Sequence, residues 1–297
     1  MLKPPYLKKG DKIAITCPAK SLKTPMTDAI KLLESWGLEV VLGETVDAVF
    51  HQFSGTDELR AKDMQNLIND PEIKAIIAAR GGYGCIRIVD EIDWTPLKQH
   101  PKWLIGFSDI TVFHLQLQSM GIQSLHAQMP STIPDSSAAG LETLRKALFG
   151  EEITYDVPAA IENRIGMAKG ELIGGNLSLL TACLNASNDV DYKGKILFIE
   201  EVGEYPYTID RMIRTLDRAG KLKNLKGMIL GGFTNIKQND IPFGFSIPEI
   251  INSIISKYDY PVCYNFPAGH LPDNQALIFG REMILNVENL IVQLNYK

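Results

Sequence analysis

Short apolar runs alternate with amphipathic stretches through the first half of the chain. Lys12-Ile13-Ala14-Ile15-Thr16 reads as a strand that ends at Cys17-Pro18. Ile30, Leu33 and Trp36 then repeat at helical spacing, and Gly37 stands where that helix should stop. Glu39–Leu42 reads as a second strand, and Ser54-Gly55-Thr56-Asp57 opens a helix with Met64, Leu67 and Ile68 on one face. Ala75–Ala78 is a buried strand, stopped by Arg80-Gly81-Gly82-Tyr83-Gly84. Lys102–Ile105 is the next strand, and Gly106-Phe107-Ser108-Asp109 leads from it into a helix over Ile110–Met120. Strands alternating with helices predict an α/β fold with a parallel sheet and right-handed crossovers.

Periodicity lapses across residues 150–165, where polar and turn residues predict a linker. The domains expected on either side are 1–155 and 166–297. Beyond the linker, a helix should start at Leu177, a strand should run over Lys195–Ile199, and Ile209, Met212, Ile213 and Leu216 mark another helix. Strands are expected at Met228–Leu230, Val262–Tyr264, Ala276–Phe279 and Met283–Val287. This half is mixed α and β, and its strand order cannot be read from pattern.

A length of 297 residues agrees with about two domains at the usual ~150 residues each. The composition, 45% hydrophobic and 22% charged, is that of a globular protein and excludes wholesale disorder or a coiled coil. The formal charge of −5 supplies no basic surplus for neutralising phosphates, so a nucleic-acid partner is not expected. The first residues lack the apolar core of a secretory signal, and no apolar stretch is long enough to span a bilayer, so no membrane association is predicted. Cys17, Cys85, Cys183 and Cys263 lie far apart and suggest reduced thiols in a cytoplasmic protein. The five histidines form no close-ligand pattern, so no metal is expected.

Several segments carry candidate chemistry. The pairs Gly81-Gly82, Gly174-Gly175 and Gly231-Gly232 follow strands, where they serve either as tight turns or as points of close ligand approach. Gly82-Tyr83-Gly84 is not a dinucleotide fingerprint, because Arg87 replaces the third glycine. In Gly106-Phe107-Ser108-Asp109-Ile110, a strand turns at once into a helix. Ser108 is there either a helix N-cap or a nucleophile presented beside unsatisfied N–H groups. Glu200 and Glu201 end the strand Lys195–Ile199, as a solvated strand end or as one carboxylate facing a cleft. His270, in Asn265-Phe266-Pro267-Ala268-Gly269-His270, is a loop histidine, either merely exposed or stiffly held as a proton carrier.

Taken together and in order, Gly81–Gly84, Gly106–Thr111, Gly170–Ser178, Phe198–Glu204 and Pro267–His270 resemble the motifs of the LD-carboxypeptidases, also called muramoyltetrapeptide carboxypeptidases. The resemblance spans nearly the whole chain. It implies an N-terminal parallel-sheet domain of Rossmann or flavodoxin-like type and a C-terminal mixed domain of barrel-like character. It further implies a serine peptidase in which Ser108 is the nucleophile, His270 the general base and Glu200 the carboxylate that orients it. By the same resemblance the N–H of Asp109 and one from Gly81 or Gly82 form the oxyanion hole. The terminal carboxylate of such a substrate favours a cationic or N–H-rich pocket, to which Arg80 is expected to contribute, and Tyr83 is a further expected substrate contact. The implied substrate is a murein tetrapeptide that loses its terminal D-alanine, with no cofactor, in a cytoplasmic homodimer. One departure is that His126-Ala127-Gln128-Met129-Pro130 stands where relatives often carry His-Gly-Pro. The alternatives are a microcin-immunity-type peptidase acting on peptide–nucleotide conjugates, and a non-catalytic binder of small anions.

Overall fold

Apolar runs too short for helices form strands β1 (Lys12–Thr16), β2 (Glu39–Leu42), β3 (Ile73–Ala78), β4 (Trp103–Gly106) and β5 (Ser124–His126). Helices α1 (Thr27–Ser35), α2 (Asp57–Asn69), α3 (Pro96–Gln99) and α4 (Thr111–Ser119) lie between them, and α5 (Ala138–Phe149) follows β5. The computed structural model describes residues 1–297, and these elements belong to a unit made of Met1–Glu152 with Pro272–Phe279.

The five strands pair in parallel in the order β5-β4-β3-β1-β2. β1, β3 and β4 are buried on both faces over Ile13–Thr16, Ala75–Ala78 and Trp103–Gly106, which is why these stretches carry no charged residue and do not alternate. Thr56 caps α2 by accepting the Leu59 N–H, and Gly37 takes φ +85 just after α1, as the sequence signals predict. Arg60 of α2 is fully buried, and its guanidinium donates to the carbonyls of Pro18 (2.5 Å) and Gly84 (3.1 Å). That single side chain ties the loops leaving β1 and β3 to the helix between those strands.

In chain order, the elements after α5 are β6 (Thr154–Pro158), β7 (Gly166–Asn176), α6 (Leu177–Ala182), β8 (Ile196–Val202), α7 (Pro206–Arg218), β9 (Gly227–Thr234) and α8 (Ile247–Ile255). They are followed by β10 (Val262–Cys263), β11 (Leu277–Phe279), β12 (Glu282–Val287) and β13 (Ile291–Tyr296). All but β11 belong to a second unit, Ile153–Leu271 with Gly280–Lys297. Its sheet has the order β10-β9-β8-β7-β12-β13-β6, parallel from β10 to β7 and antiparallel from β7 to β6. β7 joins the two halves: Gly166–Glu171 pair with β12, and Leu172–Asn176 pair with β8. Burial follows the pairing. β8 is covered on both faces, whereas β6, β12 and β13 alternate between buried and exposed positions. Arg164 makes a reciprocal backbone pair with Val262, so the chain leaving β6 is tied to the opposite edge strand.

The fold class is the expected one, a parallel-sheet α/β unit and a second, mixed unit. Two boundaries differ. The expected linker over 150–165 contains β6, whose Tyr155 and Val157 are buried; a run with only two inward residues carries too little periodicity to be seen. The expected strand near Ala276–Phe279 is β11, and it pairs antiparallel with β5 in the first unit rather than joining the second. Helices α3, α5 and α8 and strands β5, β7 and β13 lie outside the expected elements. Ile209, Met212, Ile213 and Leu216 are buried along one face of α7, as their spacing predicts. No helix is long and apolar enough to cross a membrane.

Candidate active site

β4 runs buried to Gly106, and Phe107 continues in extended conformation. Ser108 then adopts φ 63, a left-handed conformation that costs a non-glycine residue of order 1–3 kcal/mol. A single turn of 3₁₀ helix over Ser108–Ile110 passes directly into α4. This is a strained strand-to-helix turn with a half-buried hydroxyl at its tip. Ser108 is not an ordinary N-cap, because its side chain accepts no helix N–H. Gly106 also has positive φ (+154), and a Cβ there would lie 2.8 Å from Ile110 Cγ1. His114 of α4 bridges the Gly106 carbonyl (Nε2, 2.9 Å) and Ser124 Oγ (Nδ1, 2.8 Å), bracing the turn from beneath. Burial holds its imidazole pKa down at about 4, so it stays neutral.

The loop after β3 packs against this turn. A Cβ on Gly81 would fall 3.1 Å from Ser108 Cβ and 3.3 Å from the Asp109 nitrogen, so glycine leaves the Asp109 N–H uncovered by a side chain. The buried Asp109 carboxylate accepts the Cys85 N–H at 2.8 Å and clips the loop to the turn. Burial raises the Asp109 carboxyl pKa, and the bonds from Cys85 oppose that rise.

In the second unit, β8 ends with Glu200 and Glu201, both buried. Glu200 Oε2 meets His270 Nδ1 at 2.7 Å, while the imidazole keeps 22% of its side-chain surface exposed. The histidine loop lies directly on the carboxylate because Gly269 has no side chain: a Cβ there would fall 2.7 Å from Glu200 Cβ. Phe266 N–H donates to the Leu230 carbonyl and Gly232 N–H to the Ala268 carbonyl, which fixes the loop to β9. Burial by itself lowers the His270 pKa, but the hydrogen bond and charge of Glu200, with a contribution from Glu201, outweigh it. The imidazole pKa is therefore raised above its ordinary value.

Glu201 points the other way, as strand alternation requires. Its carboxylate accepts from Asn176 Nδ2 (3.0 Å), the Val202 N–H (2.8 Å), the Ser178 N–H (2.8 Å) and Ser178 Oγ (2.7 Å). Asn176 also caps α6 by accepting from Leu179 N. The motif Gly170–Ser178 thus ends in a clamp on the second glutamate, a role the sequence reading did not assign. Asn176 immediately before a helix, with Ser178 two positions on, was the available signal.

Arg80 is half-buried and donates from Nη1 to the Ser21 carbonyl at 3.0 Å. Tyr83 is exposed, its ring centroid 6.1 Å from that of Phe53. Gly82 lies beside the Lys20 side chain. His126 is buried, its ring 5.8 Å from that of Phe107, and Gln128 donates to the Pro272 carbonyl at 3.0 Å. The segment that departs from His-Gly-Pro therefore belongs to the packing of the first unit.

The LD-carboxypeptidase N-terminal domain matches residues 13–127, and the LD-carboxypeptidase C-terminal domain matches residues 169–285. A probable murein peptide carboxypeptidase of Bacillus subtilis is 35% identical over 293 residues, covering 96% of this chain and 91% of that protein. The crystal structure of a muramoyltetrapeptide carboxypeptidase from Oxalobacter formigenes superposes with a TM-score of 0.88 at 30% identity, covering 96% of this chain and 98% of the other. The microcin C7 self-immunity protein MccF, in complex with aspartyl sulfamoyl adenosine, has the same fold: TM-score 0.88, 20% identity, with 100% and 99% of the two chains covered.

Proposed function

Because the chain belongs to the LD-carboxypeptidase family, we propose that it releases the terminal D-alanine of murein tetrapeptides, with Ser108, His270 and Glu200 as its catalytic triad. Family membership makes it a peptidase and sets aside the non-catalytic anion binder. Within the family, the reading is carried by the 2.7 Å contact between a fully buried Glu200 and a partly exposed His270. A carboxylate on Nδ1 fixes the tautomer in which Nε2 carries no proton and can accept one.

His270 Nε2 takes the proton of Ser108 as Oγ attacks the scissile carbonyl carbon. The N–H groups of Asp109 and of Gly81 or Gly82 receive the oxyanion. Collapse of the tetrahedral species breaks the C–N bond, and the imidazolium gives its proton to the leaving amine of D-alanine. Water, deprotonated by the same imidazole, then hydrolyses the acyl-enzyme and restores the serine. The direct test is to incubate the protein with murein tetrapeptide and follow D-alanine and tripeptide by mass spectrometry. The shared fold of MccF keeps one second reading in view, a peptidase of peptide–nucleotide conjugates. Turnover of an aminoacyl sulfamoyl nucleoside with none of the tetrapeptide would favour it.

The two glutamates should separate cleanly. Glu200→Gln should keep the fold and lose up to about 10⁴ in kcat, the scale seen when a serine triad loses its orienting carboxylate. Glu201→Gln should do the reverse. It replaces an acceptor of four hydrogen bonds with an amide that accepts at one oxygen only, costing about 1–3 kcal/mol of stability while changing the rate little. Thermal unfolding and kcat measured on both variants check this, and the opposite ranking would exchange their roles.

A pH dependence follows from His270. The base must be neutral to accept a proton, so kcat/KM should fall as pH drops through the imidazole pKa. That pKa is raised, so the acid limb should lie above the ordinary histidine value of about 6.5. Glu200→Gln removes the raising charge and leaves the burial, so its residual activity should show an acid limb at lower pH.

A further inference from the structure

Within the first unit, a cavity of about 460 Å³ is lined by Lys20, Ser21, Lys23, His51, Gln52 and Arg80. Three of these residues carry a positive charge and none carries a carboxylate. Lys20 and Lys23 engage in no ion pair, and Arg80 spends one donor on the Ser21 carbonyl. The walls are held in register: Ser21 N–H donates to the Gln52 carbonyl at 3.0 Å, and Lys20 pairs with Phe53.

This cavity adjoins the Ser108 turn through two glycines. The Lys20 stem lies against Gly82, where a Cβ would fall 2.6 Å from Lys20 Cδ and 3.2 Å from Cε. On its other side, the same dipeptide meets Ser108, the would-be Cβ of Gly81 lying 3.1 Å from Ser108 Cβ. Gly82 has φ +117, which a side-chain-bearing residue adopts only under strain. One bare turn therefore has the serine on one side and an unpaired ammonium stem on the other.

A carboxypeptidase removes the last residue of a peptide, so its substrate carries a carboxylate one residue beyond the scissile carbonyl, within about 4 Å of it. We propose that this pocket receives that terminal carboxylate, with Lys20 and Arg80 as its cationic partners. The inference rests on the peptidase reading above. Arg80 supplies a planar fork held in place at one nitrogen, and Lys20 a mobile point charge, a pairing suited to a carboxylate.

The test compares a tetrapeptide with its C-terminal amide. Lys20→Met keeps the apolar stem against Gly82 and removes the charge. The wild type should prefer the acid over the amide in kcat/KM. Lys20→Met should raise KM for the acid roughly tenfold or more, the scale of one lost charge-assisted contact. It should leave kcat within about twofold, leave the amide unaffected, and so erase the preference; Lys20→Arg should restore it. An unchanged KM for the acid, or equal losses on acid and amide, would overturn the proposal. Titration calorimetry of the two peptides on Ser108→Ala, with and without Lys20→Met, reads the same preference without turnover. If wild-type protein cleaves neither peptide, the peptidase reading fails, while the calorimetry still decides whether Lys20 binds the terminal carboxylate.

Discussion

Ser108→Ala should lower kcat on the tetrapeptide by about 10⁶, the loss expected when a serine triad is deprived of its nucleophile. The fold should be untouched. The position already tolerates φ 63, and alanine meets the same backbone constraint as serine. What disappears is the only atom of the strained turn that can form an acyl bond. Substrate binding should persist, because the backbone N–H groups of Asp109 and the Gly81-Gly82 turn remain. Wild-type protein should also be tagged by a fluorophosphonate at Ser108, and the alanine variant should not. Activity above a few per cent of wild type in a clean preparation would remove Ser108 from the mechanism.

His270→Ala should cost nearly as much rate, and adding it to Ser108→Ala should cost almost nothing more, because members of a triad act as a unit. Multiplicative losses would mean that the histidine acts in another step. The variant should also be less stable. Glu200 is fully buried, its Oε1 has no hydrogen-bond partner, and its Oε2 would lose the imidazole. Leaving a buried carboxylate unpaired costs about 3–5 kcal/mol, less if it takes up a proton. Combining His270→Ala with Glu200→Gln removes the charge and should recover part of that loss without recovering rate. Thermal unfolding of the single and double variants distinguishes this from a general loss of packing.

Much of the site could be read locally. Buried strand, glycine and serine followed at once by a helix are contained in Trp103–Thr111, and the turn formed there is the expected one. Adjacent glutamates at a strand end had to face opposite ways, and they do. Other features had no local signature. β6 has two inward residues, and nothing nearby announces them. Gln128 gave no hint that it reaches Pro272, a partner 144 positions away. The Lys20 cavity joins Lys20, Ser21, Lys23, His51 and Gln52, each unremarkable in its own segment, to Arg80, the one lining residue singled out in the sequence.

The sequence by itself determined the parallel α/β character of the first unit, the helical face of α7, and the segments in which Ser108, Glu200 and His270 occur. Those features depend on periodicity and on turn chemistry within a few residues, and both are written contiguously. Only the tertiary structure decided the pairing of Glu200 with His270, the clamp of Asn176 and Ser178 on Glu201, and the return of β11 to the sheet of the first unit. Each depends on which strands become neighbours. That choice is made by burying both faces of β8 and by covering the edge of β5, energies summed over residues far apart in the chain. The glycines link the two levels. A Cβ on Gly81 would crowd Ser108 at 3.1 Å, and one on Gly269 would collide with Glu200 at 2.7 Å, contacts that neither glycine's own segment announces.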